Sequence, residues 1–78
     1  MFVKRDGIFY DMRLTPHAKQ RVSKRKIPFS LLREAIERGK KKVYPQTVQF
    51  FYRNIKVVVS TMDFKILTVY PLDRRDKK

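Results

Sequence analysis

The sequence predicts an α+β fold, with two N-terminal helices packed on a curled antiparallel sheet of about four strands. Three observations carry this expectation. A helix-start signature stands at Thr15-Pro16, an amphipathic block fills residues 29–38, and the C-terminal half carries runs of aromatic and β-branched residues. Helices gathered ahead of a run of strands mark α+β rather than an alternating α/β order.

Phe2-Val3 and Ile8-Phe9-Tyr10 flank Asp6-Gly7, a pair favoured in two-residue hairpin turns. The first fourteen residues therefore read as extended, either as a hairpin or as one strand over residues 8–14. Thr15 is a good N-cap, and Pro16 suits the first helical position. The helix should reach about Lys26, with Ala18 and Val22, four apart, as a thin core-facing stripe. Ile27-Pro28 interrupts it, because a residue before proline avoids the helical conformation. A second helix follows over Phe29–Arg38. Leu31, Leu32, Ala35 and Ile36 form its apolar face, Glu34 and Arg38 are spaced to pair on its outer face, and Gly39 is the expected C-cap.

Lys42-Val43-Tyr44 is a short strand stopped by Pro45. Val48–Arg53 and Ile55–Thr61 are strands joined at Asn54, and Val57-Val58-Val59 suits a strand covered on both faces. Met62-Asp63 is a turn, and Phe64–Tyr70 is the last strand, ended by Pro71. Plain alternation puts Ile66, Thr68 and Tyr70 on one face and Leu67 and Val69 on the other. It likewise separates Phe51 and Arg53 from Phe50 and Tyr52. One domain accounts for residues 1–72, and the charged tail, residues 73–78, is expected to be disordered.

At 78 residues without cysteine, the chain has neither a disulfide framework nor a thiolate metal site to stabilise it. One histidine and scattered aspartates argue against a bound metal, and no cofactor motif is present. Stability must come from the core. Six Phe and four Tyr help to supply it, each large apolar side chain being worth roughly 1.5–3 kcal/mol when fully buried. No apolar run resembles a signal peptide or a membrane span, so the expectation is a cytoplasmic protein with no membrane partner.

The charge stands out. Twenty Lys and Arg face seven Asp and Glu, a formal net charge of +13. A charged surface of the thermophilic kind pairs its cations with many Glu, and here there are only Glu34 and Glu37. The excess points to a polyanionic partner, RNA or another nucleic acid. Met12–Arg33 and Arg38–Met62 contain no acidic residue, and the first stretch carries Arg13, Lys19, Arg21, Lys24, Arg25, Lys26 and Arg33.

His17, Arg21 and Lys24 fall within about 60° of one another on the first helix, and Arg25 sits nearer the core side. A proton shuttle beside cations is what cleavage of a phosphodiester by its 2′-oxygen requires. The competing readings are a capping or packing histidine and a merely solvated cationic face. Thr68 and Tyr70 are candidate hydroxyls on the last strand, although both types favour strands anyway. The nucleic-acid-binding candidates are Arg13, Arg21, Lys24, Arg25, Lys26 and Arg53, and an exposed aromatic on the 48–53 strand can stack on bases.

Thr15-Pro16-His17-Ala18-Lys19-Gln20-Arg21, Arg25-Lys26-Ile27 and Ile66-Leu67-Thr68-Val69-Tyr70 together resemble a prokaryotic domain family of unknown function. That family is associated with RelE-like toxins and the wider barnase, EndoU, colicin and RelE ribonuclease group. The resemblance spans residues 8–71. It implies a RelE-like fold and metal-independent endoribonuclease activity, with His17, Arg21, Thr68 and Tyr70 as catalytic residues and Arg25 at the phosphate. It departs from the family pattern at Lys26, where a glycine is usual. Two other functions fit the same residues: a non-catalytic nucleic-acid-binding module, or a protein whose cationic face docks an acidic, antitoxin-like partner. A free edge on the last strand can pair two copies, so monomer and homodimer both fit.

Overall fold

The computed structural model describes residues 2–72, so the 73–78 tail lies outside the described residues. The elements run β1 (Phe2–Arg5), β2 (Ile8–Leu14), α1 (Pro16–Arg25), α2 (Phe29–Arg38), β3 (Lys40–Val43), β4 (Thr47–Tyr52), β5 (Ile55–Ser60) and β6 (Lys65–Pro71). The α+β class and both helices are as expected. The sheet is larger, with six strands in the order β1-β2-β6-β5-β4-β3. It is also mixed, because β2 and β6 run parallel while the other pairs are antiparallel. The last strand is therefore interior, and the sheet edges are β1 and β3.

Asp6 (φ 53°) and Gly7 (φ 81°) both take positive φ, and Arg5 pairs directly with Ile8. This is a two-residue hairpin turn with the twist that antiparallel strands prefer. It makes the N-terminus a hairpin and accounts for one strand beyond the expected number. The short strand expected at Lys42–Tyr44 is β3, which starts and ends earlier, because Lys40-Lys41-Lys42, of little β preference itself, is held by its ladder with β4.

Arg5 bends the sheet. Its Nη1 donates to the carbonyls of Ile36 (2.9 Å) and Gly39 (2.7 Å), while Lys41 on β3 reaches Asp6 at 3.3 Å. The two edges are thereby drawn toward each other around α2. The core lies inside this curl: Tyr10 and Met12 of β2, Phe50 of β4, Val57 and Val59 of β5, Ile66 and Val69 of β6, and Leu32, Ala35 and Ile36 of α2. Tyr10 stands edge-on to Phe50 and Phe64, with ring centroids 5.3 and 5.4 Å away.

β6 departs from plain alternation. Val59 pairs with Ile66 and Val58 with Thr68, so Leu67 is an extra residue in the ladder. This β-bulge absorbs one step of the period. Ile66 shares the core with Val69, while Thr68 and Tyr70 turn to the opposite face, away from Ile66.

α1 packs chiefly on β6. The pairing of β2 with β6 ends at Leu14 and Ile66, and beyond that point α1 takes the place of a neighbouring strand. Thr15 makes the junction. Its Oγ1 accepts from Ala18 N (3.2 Å) and donates to Leu67 O (2.9 Å), while its backbone N–H reaches Ile66 O (3.4 Å). On α2, Glu34 accepts from Tyr52 Oη at 3.1 Å instead of pairing with Arg38, and Arg33–Glu37 is the i,i+4 ion pair (3.6 Å).

Two backbone positions show what the helix ends require. Lys26 closes α1 in the left-handed region (φ 55°, ψ 44°), where glycine is the usual residue. Gly39 follows α2 with φ −69°, so its glycine is not needed for conformation. A Cβ there would lie 2.3 Å from Ala35 O and 2.9 Å from Phe51 O, and close approach of backbone to backbone requires it. Lys26→Gly should therefore raise stability by about 0.5–1 kcal/mol, and Gly39→Ala should lower it by about 1–3 kcal/mol. Urea unfolding of the two variants against wild type checks both signs.

Candidate nucleic-acid interface

The strand alternation that fills the core places a second set of side chains on the other face of the sheet. Cross-strand partners share a face, so the register builds rows. Lys40 pairs with Phe51, Phe51 with Lys56, and Lys56 with Tyr70. The next row is Lys42, Gln49, Val58 and Thr68. Val58 is buried yet stands apart from the core cluster, as its place on this face requires.

Cations and rings interleave along the first row, with Lys42 of the next row joining them. Lys42 and Lys56 lie 5.6 and 5.8 Å from the centre of Phe51, and Lys56 lies 5.0 Å from that of Tyr70. Arg21 reaches the same Tyr70 ring from α1, at 5.3 Å. Each separation is within cation–π range. The helix stripe and the sheet face are thus one surface, joined at Tyr70, which is 38% exposed.

The sequence candidates distribute unevenly over it. Arg21 and Tyr70 are in contact, and Thr68 lies one pleat from Tyr70 on the same face. Thr68 is only 7% exposed, and its Oγ1 has no hydrogen-bond partner among the described residues. His17 is exposed one turn before Arg21, in a hollow with Pro16, Lys19, Gln20 and Ser23. No hydrogen bond or ion pair joins it to Arg21, Thr68 or Tyr70 among the described residues. Lys24 and Arg25 line a groove with Gln20 and Arg21, while Arg25 also joins Lys26 in a second groove that reaches Asn54 and Pro71. Arg53 lies in the β4–β5 turn over the Tyr52 ring at 5.4 Å, on the core side of the sheet. Of the two 48–53 aromatic pairs, Phe50 and Tyr52 turn inward and Phe51 faces outward.

Arg13 is engaged by Asp11. Asp11 Oδ1 accepts from Arg13 N (2.9 Å), and Oδ2 accepts from Nε (3.3 Å) and Nη2 (3.2 Å). The Asp11 carboxylate is buried, the guanidinium largely exposed. The Arg13 backbone N–H, more than burial opposing it, holds the Asp11 carboxyl below the usual carboxylate range.

Lys40, Lys42 and Lys56 complete the surface and were not singled out as binding residues by the sequence. Lys56 carried a legible signal, a cation between Ile55 and Val57 inside an apolar strand. Among the described residues no cluster of His, Asp and Glu can hold a metal, and no helix is long and apolar enough to cross a membrane. Comparison with protein-family models, with curated proteins and with solved structures finds no match to this chain.

Asp11 makes a pH prediction. Its folded-state pKa lies below the unfolded value of about 3.9, so its contribution is intact above that value and is lost as pH falls through the lower folded one. Thermal unfolding across the acid range should show a smaller drop in midpoint below about pH 4 for Asp11→Asn than for wild type.

Proposed function

We propose that this chain is an RNA-binding protein whose contact surface is the cationic face of its sheet, extended by α1. The observation that carries the reading is the Arg21–Tyr70 contact. It joins the helix cations to a row of lysines and aromatic rings whose other members, Lys40, Phe51 and Lys56, come from the acid-free stretch Arg38–Met62. Phosphates supply most of the affinity for such a surface, and release of their counterions makes binding fall steeply with salt.

Fluorescence anisotropy with a labelled, unstructured RNA tests this. Wild type should bind with an affinity that drops at least tenfold between about 50 and 200 mM salt. Arg21→Ala should bind several-fold more weakly at every sequence, and should lower the salt slope by about one phosphate contact. Binding that is absent, or insensitive to salt, contradicts the proposal.

Metal-independent RNA cleavage is a second reading, favoured by a specific contrast within Thr15-Pro16-His17-Ala18-Lys19-Gln20-Arg21. Thr15 caps the helix and ties it to β6, Ala18 is α1's one fully buried residue, and Arg21 lies on Tyr70. His17, like Lys19 and Gln20, is exposed and makes no side-chain hydrogen bond or ion pair among the described residues, and of these three it is the one whose side chain can shuttle a proton near neutral pH, beside a phosphate bound by Arg21. Thr68 and Tyr70 supply hydroxyls to the same face, and the resemblance to RelE-like toxins supports the same assignment. RNA incubated with pure protein in EDTA should be cut by wild type and spared by His17→Ala. Equal cutting by both, or none by either, leaves the binding function alone.

A further inference from the structure

Phe51 and Tyr70 sit on β4 and β6 with Lys56 of β5 directly between them. Strands lie about 4.7–4.9 Å apart, so the two rings stand roughly 10 Å from each other across the sheet. Beside each ring, one pleat along its own strand and on the same face, is a polar side chain: Gln49 next to Phe51, and Thr68 next to Tyr70. Thr68 Oγ1 is buried without a partner among the described residues, which is costly unless something supplies one. Both of these rings are attended by cations, and every cation on the row is within reach of a ring or beside one.

We propose that this face is a two-platform site for unpaired nucleotides, and the proposal rests on the RNA-binding reading above. Phe51 and Tyr70 each stack one base, Lys56 takes the phosphate between them, and Gln49, half-buried beside Phe51, meets a base edge. A duplex does not fit this description. Its bases are stacked on one another at about 3.4 Å along each strand, and their faces are closed to rings set roughly 10 Å apart. An extended single strand presents both its faces and its edges. Of the cations now over the rings, Lys42 is exposed and Arg21 and Lys56 are half-buried. They move to phosphates on binding, and the bases that take their place on the rings offset the cation–π contacts given up. Because stacking accepts any base, the site should tolerate sequence changes while rejecting paired RNA.

The chain contains no tryptophan, so single replacements supply clean reporters. Phe51→Trp and Tyr70→Trp should each bind an unstructured RNA octamer with their fluorescence quenched, and show little quenching with a blunt duplex of the same sequence. Phe51→Leu and Tyr70→Leu keep apolar bulk and lose the stacking ring. Each should weaken single-strand binding about tenfold or more while leaving duplex binding within about twofold. Equal affinity for single strand and duplex, together with unaffected Leu variants, overturns the two-platform site and leaves the basic-face reading standing. Failure to bind either RNA at low salt overturns both. Circular dichroism of the Leu variants shows whether the fold is kept. If either unfolds, the Trp pair decides, and unquenched fluorescence at saturating RNA then counts against the site.

Discussion

The guanidinium of Arg5 holds the curl of the sheet, and the two-faced character of the molecule depends on that curl. A helix ends with carbonyls that have no partner in the helix. Arg5 donates to two carbonyls there, at Ile36 and Gly39, and stands 5.4 Å over the Phe50 ring as it does so. Hydrogen bonds from a charged donor are worth about 1.5–3 kcal/mol where water is partly excluded. The same contacts bring the first and third strands of the chain, which are opposite edges of one sheet, to the two sides of α2. Once the sheet wraps the second helix, one face is fully used as core. The charge that the core cannot accept is left for the other.

A net charge of +13 on so short a chain favours expansion, and the fold meets it by distribution. Some cations are absorbed locally: Arg5 by carbonyls, Arg13 by Asp11, Lys41 by Asp6 and Arg33 by Glu37. Those on the helix-free face are not neutralised in this way. Arg21, Lys42 and Lys56 lie over aromatic rings, whose attraction for a cation leaves its charge in place. The difference separates cations that hold the fold from cations available to a partner.

Local chemistry was legible from the residues. Thr15-Pro16, Ile27-Pro28 and the apolar face of α2 each name their own structure, because capping and proline effects act over a few residues, while Asp6-Gly7 offers a hairpin as one of two readings. The strand order was not. The parallel pairing of β2 with β6 joins residues more than fifty positions apart, and nothing in either strand announces it. The bulge at Leu67 escaped for a related reason. A period of two is assumed until a residue is seen to break it, and Leu67 is as apolar as its neighbours. Gly39 was placed correctly for the wrong cause, since a glycine needed for clearance looks the same in sequence as one needed for a left-handed turn. For the surface, the first-helix cations were visible as an acid-free run. Lys56 and Phe51 became part of it only when the register set them beside Tyr70.

Thr15 limits how this chain can vary. Its hydroxyl oxygen accepts from one backbone group and donates to another, so the start of α1 and the bulged edge of β6 hang on a single atom. Aspartate caps helices as well as threonine does but has no proton to give, and alanine supplies neither bond. Serine alone among the common substitutes keeps both. Thr15 is thus a mechanical tie between helix and sheet, and only a small alcohol supplies both bonds from one oxygen.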